Sequence, residues 1–329
     1  MNSNVKRAGF ISMLVAVIGC LFTAELVAGE EKLRRMRYTS RSKEEAIAWQ
    51  KELRSKLLHI LEMDDLIQSR SDIPLNPETV SSENKGTYVF QELEINSTPG
   101  RRIKIVLTRP AESTGPFPAV VCVAGHGGDR HTCYGAGKGY DRVGERLAER
   151  GYVTISTRVS QHKVYEEGRT LMGERLWDLM RCVDLLSSLE EVDDERMGCA
   201  GKSLGGEMVM WLSAMDQRMR ATVSAGFLTR MDQMEENHCM CWKFPGLRQL
   251  VDFADIYSLI APRALQCQNG LKEPPSQFPV SIAREAMKEI KLIYRDFGQP
   301  ENVALVAHDG GHVFDVPSLL AFFDKHLEP

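Results

Sequence analysis

Six short apolar runs, residues 118–124, 152–157, 197–200, 221–227, 264–268 and 302–307, alternate with stretches of helical periodicity. Runs of that length read as strands, and strands that are apolar on both faces need cover on both faces. Leu176, Leu179, Met180, Val183 and Leu186 mark one covering helix by their three- and four-residue spacing; residues 204–214, 279–294 and 316–326 read as others. The alternation predicts an α/β fold, a mostly parallel central sheet with helices on both faces. In such sheets the chemistry collects on loops at the carboxyl ends of the strands. Those loops are therefore the place to look for function.

The strand at residues 197–200 runs into Gly201-Lys202-Ser203-Leu204-Gly205-Gly206 and then into a helix. A G-x-S-x-G between strand and helix holds its serine in a strained turn above the sheet, and its glycines admit neighbouring backbone where a Cβ would clash. Ser203 is the candidate nucleophile. An attacked carbonyl becomes an oxyanion that needs preorganised N–H donors. Leu204, first in the helix, supplies one, and the loop Gly125-His126-Gly127-Gly128-Asp129 after an earlier strand supplies the other, from Gly127 or Gly128. The last apolar run ends in His308-Asp309-Gly310-Gly311-His312, where His312 is the expected base and His308 the lesser candidate. After the run at 264–268, Glu273 stands before two prolines as the acid that would orient the base, with Asp232 and Glu235 after the preceding strand as rivals. His126, Lys202 and Trp242 are weaker candidates for contacting substrate, and Lys202 is expected to be exposed.

Upstream, residues 42–61 read as an amphipathic helix, 69–84 as a polar linker, and 87–95 with 102–109 as a β-hairpin. At the extreme N-terminus Lys6 and Arg7 precede an apolar run, followed by small residues near Ala24 and Ala28, which is the order of a secretory leader. The expected organisation is a signal peptide at 1–28, a helical lead and linker at 29–86, and a catalytic domain at 87–329. The expected location is outside the cytoplasm, with a lipidated Cys20 as the variant reading, and with no stable membrane span in the mature form. Among 329 residues, 41 Lys+Arg against 45 Asp+Glu give a net charge of −4 with no basic cluster, which argues against nucleic acid as a partner.

The eight cysteines are too dilute for a disulfide scaffold. Cys122, Cys199 and Cys267 fall in strands and read as small apolar residues. His238-Cys239-Met240-Cys241 has the residue types of a metal site but no second Cys/His pair nearby in sequence, so it reads as a loop over the active site, with no metal and no cofactor expected. A bridge from Cys133 to Cys239 or Cys241 is a further expectation.

Leu147-Ala148-Glu149-Arg150-Gly151-Tyr152 before a strand, Val192-Asp193-Asp194-Glu195-Arg196-Met197 leading to the serine turn, residues 255–263 (DIYSLIAPR) and His312 give the chain its likeness. It resembles the α/β-hydrolase superfamily over about residues 87–327, and within it the secreted bacterial esterases similar to acetyl xylan esterases and dienelactone-hydrolase-like proteins. The resemblance implies a serine carboxylesterase working through an acyl-enzyme on a small-molecule or polysaccharide ester, with acetyl or uronoyl esters as the substrate class. Relatives usually carry Asp where this chain has Glu273, and true dienelactone hydrolases carry cysteine where it has Ser203. The alternatives are an oligopeptidase-like serine peptidase, for which the chain lacks a gating domain, and a hydrolase fold retained for binding alone.

Overall fold

The computed structural model describes residues 33–39, 41–111, 115–137, 139–236 and 238–328. The expected leader at 1–28, Cys20 included, lies outside the described residues. Nine strands, β1 (Glu78–Asn84), β2 (Tyr88–Thr98), β3 (Arg101–Pro110), β4 (Phe117–Val123), β5 (Val153–Thr157), β6 (Val192–Lys202), β7 (Met219–Ala225), β8 (Ala264–Gly270) and β9 (Val303–His308), form one sheet. Their order is β1-β2-β3-β5-β4-β6-β7-β8-β9. The first three strands and the β3/β5 pair are antiparallel; every other pairing is parallel. This is the mostly parallel sheet that the apolar alternation predicts.

Seven helices carry the argument: α1 (Lys43–Ile60), α2 (Val143–Ala148), α3 (Leu171–Ser188), α4 (Leu204–Met215), α5 (Phe253–Ser258), α6 (Val280–Asp296) and α7 (Val316–Leu327). Successive side chains on a strand point to opposite faces, and β4 divides accordingly. Ala119, Val121 and Val123 join the core under α3, α4 and α6. Val120 and Cys122 join a second core, made with α2 and α7. Helices therefore cover both faces. No described helix is long and apolar enough to cross a membrane.

The N-terminal segment differs from its expected description. Residues 78–84, inside the stretch read as a linker, form the antiparallel edge strand β1, whose residues are all exposed. The expected helix is present as α1, with Ser42 as N-cap accepting from the Glu45 N–H at 3.2 Å.

Candidate active site

β6 and α4 are separated by one residue, Ser203, held at φ 61° and ψ −126°. Few non-glycine residues adopt a positive φ. Here the neighbours enforce it: the Ser203 N–H donates to Ala225 O of β7 at 2.9 Å, and the helix above starts at the next residue. A Cβ on Gly201 would collide with Gly205 O, and one on Gly205 with Val123 O. Two of the motif's glycines are thus explained by packing of strand, turn and helix against one another.

The loop after β4 lies directly against this turn. A Cβ on Gly125 would stand 2.7 Å from Lys202 O and 3.0 Å from Ser203 Cβ, and the Gly125 N–H donates to the Tyr140 hydroxyl at 2.6 Å. Of the two expected donors in this loop, Gly128 is already committed, because its N–H donates to Gly125 O at 3.0 Å. Gly127, at φ +68° with open space around it, keeps its N–H free among the described residues. The N–H of Leu204 opens α4 and, as one of the first donors of a helix, has no partner within it.

His312 sits on the loop between β9 and α7. Its Nδ1 is 2.8 Å from Glu273 Oε1, and its ring stacks on Phe278 at 5.5 Å between centroids. The Glu273 side chain is wholly buried while that of His312 is 29% exposed, so the carboxylate stands behind the ring and Nε2 is the nitrogen left for the cavity. The β8 loop that carries Glu273 is tied to the histidine loop by Leu271 N–H to His308 O at 2.8 Å and Lys272 N–H to Gly310 O at 3.0 Å. His308 instead accepts from the Gly310 N–H on Nδ1. The rival acids are elsewhere: Asp232 pairs with Arg248, and Glu235 with Lys243 and Arg248, in surface ion pairs.

Ser203, Leu204, His126 and His312 line one cavity of about 320 Å³, walled on its apolar side by Phe227, Met234 and Phe278. His126 reaches it as expected. Desolvation, with the charge of Arg175, lowers the His126 pKa to about 4, so this ring is neutral in ordinary buffers. Lys202 and Trp242 are not where the sequence reading puts them. Lys202 is buried, not exposed: its Nζ donates to His312 O at 3.1 Å and lies 4.7 Å from the centre of the Tyr140 ring. It braces the histidine loop from behind, and burial lowers its pKa against the opposing charge of Glu273. Trp242 is fully buried and packs edge-on against Phe253 in the core beneath the loop.

The cysteine readings divide. Cys122, Cys199 and Cys267 are buried, as expected of apolar strand residues, and Cys133 is a buried free thiol, not bridged to Cys239 or Cys241. The C-x-C does have partners, however. His126 and His162 bring their ring nitrogens to it, and the four ligating atoms all lie within 4.8 Å of one another. Sequence spacing could not reveal this, since His162 follows β5 and His126 follows β4. The rule that loops at strand ends carry chemistry would have pointed to both. Gly226 and Phe278 also escaped the sequence reading, because neither belongs to a motif.

The profile of the family described as acetyl xylan esterase (AXE1) matches residues 62–236, more than half of the chain. YtaP of Bacillus subtilis (strain 168), a provisionally assigned hydrolase, is 24% identical over 269 residues, covering 73% of this chain and 87% of its own. Among solved structures, a Bacteroides fragilis protein provisionally assigned as an acetyl xylan esterase superposes with a TM-score of 0.74 at 16% identity, covering 98% of this chain and 97% of its own. The acetyl xylan esterase from Paenibacillus sp. R4 gives 0.62 at 17% identity, covering 81% and 94%. These structural likenesses carry the fold; the profile carries the family.

Proposed function

The chain belongs to the acetyl xylan esterase family, and from that premise we propose that it is an exported serine carboxylesterase that removes acetyl groups from polysaccharide esters through an acyl-enzyme on Ser203. The observation that carries the reading is the 2.8 Å contact of His312 Nδ1 with the buried Glu273, at the rim of the same cavity that Ser203 enters in a left-handed turn. In the first half-reaction His312 Nε2 takes the Ser203 proton as Oγ bonds to the ester carbon. The N–H groups of Leu204 and Gly127 receive the oxyanion. Glu273 fixes the imidazole tautomer and stabilises the imidazolium without itself taking the proton. Collapse breaks the bond to the sugar oxygen, which leaves with the proton from His312. Water, deprotonated by the same nitrogen, then attacks the acyl-enzyme and releases the acid.

Phe227, Met234 and Phe278 offer an apolar wall to an acetyl methyl, while Glu207, His238 and Gln277 of the same lining offer polar partners, so the family match rather than the cavity favours acetyl over uronoyl esters. The basic, apolar and small-residue order of residues 1–28 supports export.

The test is a panel of p-nitrophenyl acetate, acetylated xylan, a glucuronoyl ester and a peptide amide, run with the natural chain and with Ser203→Ala and Glu273→Gln. Acetyl esters are expected to turn over best, with kcat falling by at least about 10³-fold in Ser203→Ala and about 10²- to 10⁴-fold in Glu273→Gln. Unchanged acetyl ester turnover in Ser203→Ala would sink the assignment. A small loss in Glu273→Gln beside a severe one in Asp232→Asn would move the acid to the preceding strand.

A further inference from the structure

His126, His162, Cys239 and Cys241 come from three loops that follow three strands, β4, β5 and β7, yet their four ligating atoms lie within 4.8 Å of one another. His126 Nε2 and Cys241 Sγ are 3.2 Å apart, and the His126 and His162 rings stack with centroids 5.4 Å apart. Zinc bonds of about 2.0–2.1 Å to nitrogen and 2.3 Å to sulfur, set tetrahedrally, put neighbouring ligands about 3.3–3.8 Å apart. The cluster is within about an ångström of that size, and three of its four residues are exposed enough to close the rest by rotation of their side chains.

One buried cation stands beside the cluster. Arg175 is fully buried, and among the described residues no carboxylate lies within ion-pairing distance of it. Its Nη1 instead faces Cys241 Sγ at 3.5 Å, its Nη2 donates to Gln161 O beside His162, and its Nε has no partner. A buried guanidinium without an anion is costly. Cys241 Sγ is the ligand atom this cation faces, and the buried Glu207 carboxyl is the other group that feels its charge. The guanidinium also connects two of the three ligand loops, as groups behind metal ligands commonly do.

We propose that His126, His162, Cys239 and Cys241 form a four-ligand zinc site that fastens the oxyanion loop to the two loops beside it. Two thiolates and two imidazoles select zinc over hard cations, which require oxygen ligands, and four protein ligands leave no open position for substrate, so the site is structural. His126 is adjacent to Gly127, so a bound ion holds the Gly127 N–H in place. The ligand set stands without the ester reading; only this positioning role rests on it.

The test uses the full chain, purified in reductant, stripped with a chelator and titrated with cobalt(II). One equivalent is expected to produce thiolate-to-cobalt charge-transfer absorption and the visible bands of a tetrahedral ion, with zinc displacing cobalt. His162→Ala and Cys241→Ser are expected to lose that spectrum, and Ser203→Ala to keep it in full. The site is overturned by a natural chain that gives no charge-transfer band, by a band undiminished in both ligand variants, or by Cys239 and Cys241 being joined to each other in the reduced preparation. Stripping zinc is expected to lower kcat on p-nitrophenyl acetate at least tenfold, with recovery when zinc is returned. A cobalt spectrum with kcat unmoved by stripping would overturn the positioning role.

Discussion

At the scale of single residues, Gly226 is the least conspicuous part of the site and among the most constrained. It follows β7 at φ +58°, and its N–H donates to Gln268 O at 2.7 Å. A Cβ there would stand 2.8 Å from His312 Cε1, 2.9 Å from Nδ1 and 3.4 Å from Glu273 Oε1. Gly226→Ala therefore pushes on the imidazole at the atom that faces the acid. A misplacement of about 1 Å in a catalytic group costs about 10²-fold in rate, so kcat on p-nitrophenyl acetate should fall by about that factor with KM little changed. The left-handed backbone adds about 1–2 kcal/mol of destabilisation, which thermal unfolding measures separately. Unchanged kcat would mean that the ring moves aside without consequence. Ser203, His312 and Glu273 were legible as candidates because each lies three to five residues beyond an apolar run, where strand-end loops are expected. Gly226 was not, because a glycine's meaning lies in what stands next to it, and no spacing in the chain announces that His312 does.

Between elements, the far end of α4 is held by a charge network. Asp216, the C-cap of α4, accepts from Arg218 Nη2 at 2.5 Å and Nε at 2.9 Å and from Arg70 Nη2 at 3.3 Å, while Asp184 of α3 accepts from both arginines. Burial alone would push the Asp216 carboxyl up, but the hydrogen bonds and charge of Arg218, with Arg70, hold it below its ordinary range. A carboxyl depressed on folding contributes stability above its unfolded pKa and loses it as pH falls through the folded one. The contribution of Asp216 is thus complete at neutral pH and disappears below about pH 4. Asp216→Asn should cost about 1–3 kcal/mol at pH 7, and the gap between the two melting curves should narrow progressively as pH drops below about 4. A gap independent of pH would assign the loss to packing. Strand β1 shows the opposite limit of legibility. Its sequence ETVSSEN has no apolar face because the strand is an exposed edge, so the alternation that betrays half-buried strands is missing and its polar residues read as linker. Charge on such an edge also discourages pairing with another chain.

Across the whole molecule, the segment ahead of the sheet is built into the core. Arg34, Arg35 and Met36 donate their N–H groups to the carbonyls of Arg248, Gln249 and Leu250, and Arg34 pairs with the buried Asp255 at 2.6 Å. From α1, Gln50 bonds the carbonyls of Ser258 and Ala261, and Arg54 those of Ala214 and Leu259. Ala46, Leu53 and Leu57 are fully buried against the same core as α3, α4 and α6. The match to the family begins at residue 62, so α1 lies ahead of the shared region, yet it closes the last turn of α4. α4 has 12 residues, which puts its clamped end about 18 Å from the end that opens on Ser203. Stability and catalysis should therefore separate here. Leu57→Ala leaves a cavity beneath α1 and should cost about 2–5 kcal/mol, lowering the melting temperature by several degrees while kcat per folded molecule, measured well below that temperature, stays unchanged. A chain begun at residue 62 loses every one of these contacts and should not give a cooperative thermal transition. If it melts cooperatively at the same temperature as the chain begun at residue 33, α1 is an accessory and the core ends at the sheet.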